Sequence, residues 1–197
     1  MSKKQFNITV CASGGGGNFE SVIKGQKEVG YKVNLLVVDR ECGAIDKAKQ
    51  NNIPYVLLDR GKLGENLFHK MDQAIPVNTD LIVLAGFLPI INSVFCQKWA
   101  RRIINTHPSL LPKYGGKGMY GVKVQEAVLA NKDILAGCTV HYVNEKIDGG
   151  EIILQKTLKV ESNESAWELG GRVFLEENIL LIEAIKSIIN KQEGLDN

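Results

Sequence analysis

This 197-residue sequence lacks closely spaced pairs of cysteines. We therefore expect neither disulfide bonds nor a structural metal site, two common ways of stabilising a small domain. Its four cysteines, at positions 11, 42, 96 and 138, are scattered and form no Cys-x-x-Cys motif. The three histidines do not complete a metal-ligand spacing, so we predict neither a structural zinc site nor any other bound metal. Free and mostly buried thiols in a reducing compartment are the interpretation that fits this distribution.

Long apolar runs and an excess of charge of either sign are also missing. No apolar run approaches the roughly 18 residues needed to span a membrane, so we expect no membrane partner. The 24 basic residues are nearly balanced by 22 acidic ones, which gives a net charge of +2. We therefore expect no nucleic-acid partner either. The first apolar strand begins near residue 5, which leaves no room for a signal peptide, and we expect a cytoplasmic protein.

The hydrophobic content that is present suits one globular domain. At 44% hydrophobic and 23% charged residues, a chain of this length can bury a sizeable core. Apolar patterns predict strands over residues 6–12, 32–38, 54–58, 80–85 and 101–104. Helical patterns lie between them, over residues 18–30, 42–52, 66–75 and 93–99. Near-continuous Val, Ile and Leu runs separated by helices predict a parallel sheet covered on both faces.

The pattern changes after residue 120. A short helix over 123–131 precedes two longer strands over 136–143 and 151–160, and an amphipathic helix over 164–191 completes the chain. No linker separates two domains. We therefore predict an α/β fold, with a doubly wound, mostly parallel sheet in a Rossmann-like N-terminal half and a smaller, mixed C-terminal lobe.

Four consecutive glycines follow the first strand. At Gly15, Gly16 and Gly17 the missing Cβ atoms let the backbone approach a ligand, and the helix that begins near Asn18 presents free N–H groups to an anion. The P-loop motif needs Gly-Lys-Ser/Thr, which is absent, and the dinucleotide fingerprint needs a glycine where Phe19 stands. A lone phosphate is therefore the expected ligand, and a flexible turn without a ligand is the alternative.

The segment from residue 105 to 112, Asn-Thr-His-Pro-Ser-Leu-Leu-Pro, carries candidate catalytic groups. Its two prolines fix φ and remove two backbone donors, which excludes a helix or an interior strand there. Asn105 and His107 are then expected at the carboxyl end of the strand predicted over 101–104, where open α/β sheets bind ligands. Asp148, followed by two glycines, is placed between the two lobes.

An amide, an imidazole and a carboxylate suit a particular chemistry. Asn105 can donate to an oxygen that develops negative charge, and His107 can act as an acid or as a positive charge. Asp148 could reach His107 and favour its protonated form. No activated serine or cysteine nucleophile stands out, so the set favours direct attack of one substrate on the carbonyl of another. By contrast, His141 is expected to make structural hydrogen bonds in a strand, and His69 to lie on the surface.

Five segments, in this order, resemble the phosphoribosylglycinamide formyltransferase family, the folate-dependent formyltransferases of purine synthesis. They are Ala12-Ser13-Gly14-x-Gly16-x-Asn18, Leu84-Ala85-Gly86-Phe87-Leu88, Asn105-Thr106-His107-Pro108-Ser109-Leu110-Leu111-Pro112-Lys113-Tyr114, Thr139-Val140-His141-Tyr142-Val143 and Asp148-Gly149-Gly150-Glu151-Ile152-Ile153-Leu154-Gln155. Together they extend over nearly the whole chain. The Asn-x-His-Pro-Ser-Leu-Leu-Pro block is highly specific to enzymes that use 10-formyltetrahydrofolate.

The resemblance implies a role for each of these segments. Asn105, His107 and Asp148 would be the catalytic trio. Substrate-binding residues would be Gly15, Gly16, Gly17 and Asn18 for the phosphate, and Glu177 for the glycinamide group. The folate pocket would be lined by Leu88, Pro89, Ile90, Ile91, Asn144, Glu145, Lys146 and Ile147. One formyltransferase domain would then cover residues 1–197, with a phosphate-binding half over 1–106 and a folate and catalytic lobe with the C-terminal helix over 107–197.

The activity implied is transfer of the formyl group of 10-formyltetrahydrofolate to the amine of glycinamide ribonucleotide, giving formylglycinamide ribonucleotide. The folate would be a co-substrate, with no tightly bound cofactor, and the protein a monomer or a homodimer. Alternatives are a sugar-nucleotide formyltransferase, a formyltetrahydrofolate hydrolase, or a phosphate-binding module without activity. Methionyl-tRNA formyltransferase would need an extra C-terminal domain and a basic surface.

The sequence departs from the family pattern at several positions. Pro89 replaces a residue that is often basic, and Phe174 stands where a polar phosphate contact is common. The glycine-rich loop over residues 115–121 is longer than in the best-known members. A histidine that often begins the following helix is missing, with Val124 and Gln125 in that region. These differences concern substrate binding rather than the chemistry.

Overall fold

A computed structural model describes residues 4–195 of the chain. Its strands are β1 (Phe6–Ala12), β2 (Tyr31–Val38), β3 (Tyr55–Leu57), β4 (Leu81–Leu84), β5 (Ile103–His107), β6 (Leu135–Tyr142) and β7 (Ile152–Lys159). They form one seven-stranded sheet in the order β3-β2-β1-β4-β5-β6-β7. The first five strands are parallel, and β6 and β7 are antiparallel to their neighbours. The predicted α/β fold, with a mixed C-terminal portion, is confirmed.

Helices connect the strands on both sides of the sheet. They are α1 (Gly17–Val29), α2 (Ala44–Gln50), α3 (Arg60–Leu63), α4 (Leu67–Ala74), α5 (Ser93–Lys98), α6 (Val122–Ala130) and α7 (Ala166–Leu195), with a 3-10 turn at Gly64–Asn66. The short α3 was not predicted from the apolar pattern. It forms because the Asp59 side chain accepts hydrogen bonds from the N–H groups of Gly61 and Lys62 at its first turn.

Two hydrophobic cores cover the two faces of the sheet. Successive strand side chains point to opposite faces, so Ile8 and Val10 of β1 join the core beneath α1 and α7. Cys11, between Val10 and Ala12 in the same strand, joins the second core beneath α4 and α5. The buried side chains of α7 recur at helical spacing, at Leu169, Val173, Leu180, Leu181 and Ile185. The doubly wound arrangement thus follows from period-2 strands and amphipathic helices.

Strand β5 differs from its prediction. The apolar pattern predicted a strand over residues 101–104, but β5 begins at Ile103 and continues through Asn105 to His107. The polar residues extend the strand because β6 pairs with them, with Asn105 opposite His141 and His107 opposite Thr139. Both candidate catalytic residues are therefore held within a strand, and Pro108 ends it.

The remaining predictions lie close to the observed elements, with ends that shift by a few residues. The predicted division at residue 106 falls within β5, and residues 1–3 and 196–197 of the predicted domain lie outside the described residues. Across residues 4–195, no helix combines the length and the apolar character required to cross a membrane. All four cysteines are free, and three of them, at positions 11, 96 and 138, are buried, as predicted. Burial raises the pKa of Cys138 to about 12, which leaves this thiol unreactive.

Candidate active site

A cavity of about 890 Å³ opens at the carboxyl ends of β1, β4 and β5. This is the point at which the strand order reverses, since β1 lies between β2 and β4, and open α/β sheets bind ligands in such a crevice. The volume lies at the upper end of the usual range for small-molecule sites. Its walls include the predicted trio Asn105, His107 and Asp148, together with Asn18, Glu177 and all eight predicted folate residues.

His107 and Asp148 face each other across the floor of this cavity. Nδ1 of the buried His107 lies 3.6 Å from Oδ2 of Asp148. The other ring nitrogen, Nε2, lies 2.8 Å from the carbonyl oxygen of Tyr114 and must carry a hydrogen, because a carbonyl can only accept. Nδ1 is therefore the nitrogen left for chemistry.

Asn105 is oriented by a histidine on the neighbouring strand. Its Nδ2 lies 3.2 Å from Nε2 of His141, whose Nδ1 lies 2.9 Å from the carbonyl oxygen of Tyr142. That carbonyl fixes the hydrogen of His141 on Nδ1, so Nε2 accepts from Asn105. Burial lowers the pKa of His141, which keeps the ring neutral in this role. The amide nitrogen of Asn105 retains a second hydrogen for a ligand.

His141 was expected to make structural hydrogen bonds in a strand, and it does so from β6. Its partner, however, is a member of the trio, and its Nε2 also lies 3.8 Å from Oδ1 of Asp148. We therefore regard His141 as a positioning residue for Asn105. The antiparallel pairing that sets Asn105 opposite His141 is the signal that would have revealed this, and it is not visible in either segment alone. His69 is exposed, as predicted, and its Nε2 lies 3.0 Å from Nε2 of Gln73.

Backbone groups of Tyr114 and of the glycine-rich loop that follows it hold the histidine and the aspartate together. The carbonyl of Tyr114 accepts from His107, and the N–H of Gly116 donates to Oδ2 of Asp148 over 2.9 Å. Tyr114 itself adopts a positive φ of 58°, an uncommon conformation for a side chain of this size. These backbone groups therefore fix the geometry of His107 and Asp148, a role that sequence reasoning did not find because backbone groups carry no residue signature.

Glu177 lines the same cavity, next to β5, the strand that carries Asn105 and His107. Its Oε1 accepts a 2.8 Å hydrogen bond from Oγ1 of Thr106, which stands between Asn105 and His107 in β5. The carboxyl is only 7% exposed. Burial raises the pKa of Glu177 to about 7, because a charged carboxylate loses its hydration there and the hydroxyl of Thr106 restores only part of it.

The raised pKa of Glu177 predicts a pH-dependent stability. Between about 4.5, its ordinary value, and about 7, the folded chain holds a proton that the unfolded chain has released. The free energy of unfolding should therefore fall as the pH rises through this interval, by on the order of 3 kcal/mol at most. A Glu177→Gln variant keeps an acceptor for Thr106 but cannot titrate, so it should lose this fall. Urea unfolding of the wild-type protein and of the variant, at several pH values between 4.5 and 7, measures this fall. If the free energy of unfolding falls equally in the variant, Glu177 is not the cause of the fall.

The glycine loop has a defined shape at the first turn of α1. Gly16 is the N-cap residue of this helix, with a positive φ of 72°, and a Cβ there would lie 2.9 Å from Cα of Ala44. A Cβ at Gly17 would overlap the ring of Phe174, which packs directly against it. Gly15 is open, with no described atom within 4 Å of an added Cβ. The first N–H groups of α1 have no intrahelical acceptor and no capping side chain, so they remain available to an anion.

The predicted phosphate residues are only partly brought to the cavity. Asn18 lines it, whereas Gly15, Gly16 and Gly17 do not, and Gly17 lies directly behind the ring of Phe174. Their role in phosphate binding stays a prediction. The loop is nevertheless tied to the predicted folate residues, because Oγ of Ser13 accepts a 2.9 Å hydrogen bond from the N–H of Leu88.

The predicted folate residues form two facing walls. One wall follows β4 and presents Leu88 and Ile90, which are 45% and 58% exposed. The other follows β6 and is shaped by Asn144, whose Oδ1 accepts from the N–H of Lys146 over 2.9 Å. Leu88 and Ile90 give the first wall an apolar surface, whereas Ile147 is the apolar residue among the four predicted on the second. Within residues 4–195, no three His, Cys, Asp or Glu side chains are grouped to hold a metal ion.

Comparison with known proteins agrees with this geometry. The family model described as "Formyl transferase" matches residues 6–185. The chloroplastic phosphoribosylglycinamide formyltransferase of Vigna unguiculata is 36% identical over 198 residues, which cover 98% of this chain and 64% of that protein. The phosphoribosylglycinamide formyltransferase of Haemophilus influenzae is 36% identical over 178 residues, which cover 86% of this chain and 81% of that protein.

A solved structure shows the same fold. The crystal structure of phosphoribosylglycinamide formyltransferase from Anaplasma phagocytophilum superimposes with a TM-score of 0.85 at 28% identity, over 95% of this chain and 89% of that one. The present chain spans just under two thirds of the length of the plant relatives, 64% and 66% for two of them. A family model that matches nearly the whole chain, on a fold with this cavity, shows that the chain belongs to the formyl transferase family.

Proposed function

We propose that the protein transfers the formyl group of 10-formyltetrahydrofolate to the amine of glycinamide ribonucleotide. The observation that carries this proposal is the meeting of Asn105, His107 and Asp148 in one cavity, between the walls after β4 and β6 on one side and the first turn of α1 on the other. Relatives in Vigna unguiculata and Haemophilus influenzae bear the name of this activity. The folate acts as a co-substrate, and the walls after β4 and β6 hold it.

Direct attack on the formyl group accounts for the trio. The amine nitrogen forms a bond to the formyl carbon, whose oxygen becomes an oxyanion. The free N–H of Asn105 and the positive charge on His107 stabilise that oxyanion. Asp148, which faces Nδ1 of His107 over 3.6 Å, relays the proton that leaves the attacking nitrogen. When the bond between carbon and N10 of the folate breaks, N10 takes up a proton, and the products are tetrahydrofolate and the formylated amine.

A steady-state assay with three acceptors tests the proposed substrate. Purified protein would be mixed with 10-formyltetrahydrofolate and glycinamide ribonucleotide, an amino-sugar nucleotide, or no amine. We expect tetrahydrofolate to form rapidly only with glycinamide ribonucleotide. Turnover without an amine would instead identify a hydrolase, and preference for the amino sugar would identify a sugar-nucleotide formyltransferase. We further propose that the chain works in the cytoplasm on these small molecules, as a monomer or a homodimer.

A substitution at Gly15 tests the predicted phosphate site. Gly15 has no positive φ and no described atom within 4 Å of an added Cβ, so Gly15→Val should fold. If the loop binds the phosphate through its backbone, the valine side chain obstructs that approach, and KM for glycinamide ribonucleotide should rise by about tenfold or more. Gly16 is unsuitable for this test because its φ and its contact with Ala44 exclude a side chain. An unchanged KM in a folded Gly15→Val variant would mean that the phosphate lies elsewhere.

A further inference from the structure

The orientation of His107 depends on a backbone carbonyl that belongs to a residue in an uncommon conformation. Nε2 of His107 donates to the carbonyl oxygen of Tyr114 over 2.8 Å, and Tyr114 has a φ of 58°. A left-handed backbone is unfavourable for a bulky side chain and persists only where the surrounding structure holds it. If Tyr114 relaxed to a negative φ, its carbonyl would move away from His107. The contacts that hold Tyr114 are therefore of interest for the reaction.

The side chain of Tyr114 is held by Asp133, in the turn between α6 and β6. The hydroxyl of Tyr114 donates to Oδ2 of Asp133 over 2.7 Å. The N–H of Asp133 in turn donates to the carbonyl oxygen of Val128, a core residue of α6, over 3.2 Å. Neither Tyr114 nor Asp133 is among the residues that line the cavity. The contact thus ties the backbone at Tyr114 to the core from outside the cavity.

Lys113 keeps the acceptor of this hydrogen bond charged. Its Nζ lies 2.7 Å and 2.6 Å from the two carboxylate oxygens of Asp133. Hydrogen bonds from Lys113, and then from Tyr114, lower the pKa of Asp133, so its carboxylate is ionised at neutral pH. The side chain of Lys113 is 59% exposed, and exposed ion pairs contribute little to stability by themselves. We therefore assign the hold on Tyr114 to its hydroxyl rather than to the neighbouring ion pair.

The residues after Tyr114 extend the same geometry to Asp148. A Cβ at Gly115 would lie 3.2 Å from Cβ of Asp148, so the backbone at this glycine packs closely on the aspartate. The N–H of Gly116 donates to Oδ2 of Asp148 over 2.9 Å. A displaced Tyr114 would therefore disturb the contacts of Asp148 as well as those of His107.

We propose that Asp133 is a positioning residue for the reaction and acts on His107 through Tyr114. The carboxylate holds the hydroxyl, the ring holds the backbone of Tyr114, and the carbonyl keeps the hydrogen of His107 on Nε2. Nδ1 is then left toward Asp148 and the substrates. This inference rests on the proposed function, because it assigns Asp133 a part in that reaction. Since Asp133 lies outside the cavity, its removal should disturb the orientation of the reacting groups more than the binding of either substrate.

The position of the hydrogen on His107 gives a readout that needs no turnover. Nitrogen NMR of isotopically labelled histidine rings, at alkaline pH where imidazoles are neutral, shows which ring nitrogen carries the hydrogen. We expect the wild-type protein to hold it on Nε2, beside the carbonyl of Tyr114. In Tyr114→Phe and Asp133→Ala the hydrogen should be shared between the two nitrogens, because Asp148 faces the other one. Asp133→Asn keeps an acceptor for the hydroxyl and should restore the wild-type spectrum.

Kinetics of the same variants show whether this orientation matters for the reaction. Tyr114→Phe and Asp133→Ala should each lower kcat by about tenfold and change both KM values by less than about twofold. Asp133→Asn should recover most of the loss. Lys113→Met removes the ion pair but leaves the hydroxyl contact, so it is the matched control and should keep the wild-type kcat. The double variant Tyr114→Phe/Asp133→Ala should be no worse than the poorer single variant, because both act through one contact.

The outcomes separate this role from the function on which it depends. An unchanged kcat in a folded Tyr114→Phe variant would overturn the positioning role, and the phenyl ring keeps the packing of Tyr114 against the core even where Asp133→Ala does not fold. A loss of kcat in Lys113→Met as large as in Tyr114→Phe would also overturn it, because the ion pair would then hold the loop. A hydrogen that leaves Nε2 in Tyr114→Phe, in a protein whose wild type does not formylate glycinamide ribonucleotide, would support the contact and refute the proposed function instead.

Discussion

Replacing Asn105 with alanine is expected to lower kcat by about 10²- to 10³-fold, the usual cost of removing one donor to an oxyanion. The effect should fall on kcat rather than on KM, because the second N–H of Asn105 has an ionic partner only when the formyl oxygen becomes charged. The first N–H is already engaged by His141 over 3.2 Å, so the amide is held in place before the substrate arrives. Single-turnover kinetics at saturating substrates measure this loss.

The control for Asn105→Ala is the binding of folate and the thermal stability of the variant. Asn105 is half-buried and contacts His141, so the melting curve shows whether β5 and β6 remain paired. We expect nearly unchanged folate affinity, since the folate walls lie after β4 and β6. A loss of less than about tenfold in kcat, in a folded variant, would remove Asn105 from the oxyanion site.

Removing the charge of Asp148 should lower kcat at least as much as Asn105→Ala does. In Asp148→Asn the side chain keeps an oxygen for the N–H of Gly116, so the loop geometry survives, but His107 loses the carboxylate that lies 3.6 Å from Nδ1. General acid and base groups contribute about 10²- to 10⁴-fold, and kcat should fall within that range. His107→Ala should lose a similar amount, because the positive charge is then missing altogether.

The double variant of this pair distinguishes a coupled unit from two separate groups. If Asp148 acts through His107, then His107→Ala/Asp148→Asn should be little worse than the poorer single variant. Four kcat values, measured under one set of conditions, complete the cycle. Losses that multiply would show that Asp148 works independently of His107, for instance on the proton of the attacking amine alone.

The sequence supported the fold and the trio for different physical reasons. Near-continuous apolar runs such as β4 report burial on both faces, and that property is local to each strand. Asn105, His107 and Asp148 were selected by residue type and by resemblance, and the cavity brings all three together. Asn18 and Glu177 also reach the cavity, whereas Gly15, Gly16 and Gly17 do not line it. Gly17 lies behind Phe174 through a contact between α1 and α7, which neither segment reveals alone.

Some features of the site were not predictable from the sequence, because they depend on strand pairing and on backbone groups. The extension of β5 to His107 requires β6 as its partner, so the polar residues of that strand looked like the start of a loop. The same pairing turns His141 from a strand residue into a positioning residue for Asn105. Tyr114 and Gly116 contact His107 and Asp148 through their backbone atoms, which most residue types could supply.

Direct transfer of the formyl group, with no covalent or metal-bound stage, is the central claim, and a rapid-quench experiment tests it most directly. Protein that has been exhaustively treated with a chelator would be mixed with isotopically labelled 10-formyltetrahydrofolate, with and without glycinamide ribonucleotide, and quenched at successive times. We expect the label to pass from folate to formylglycinamide ribonucleotide at one rate, only when the amine is present, and at the same rate as without the chelator. Label found on the protein before the amine is added, or activity that returns only with zinc, would contradict the mechanism.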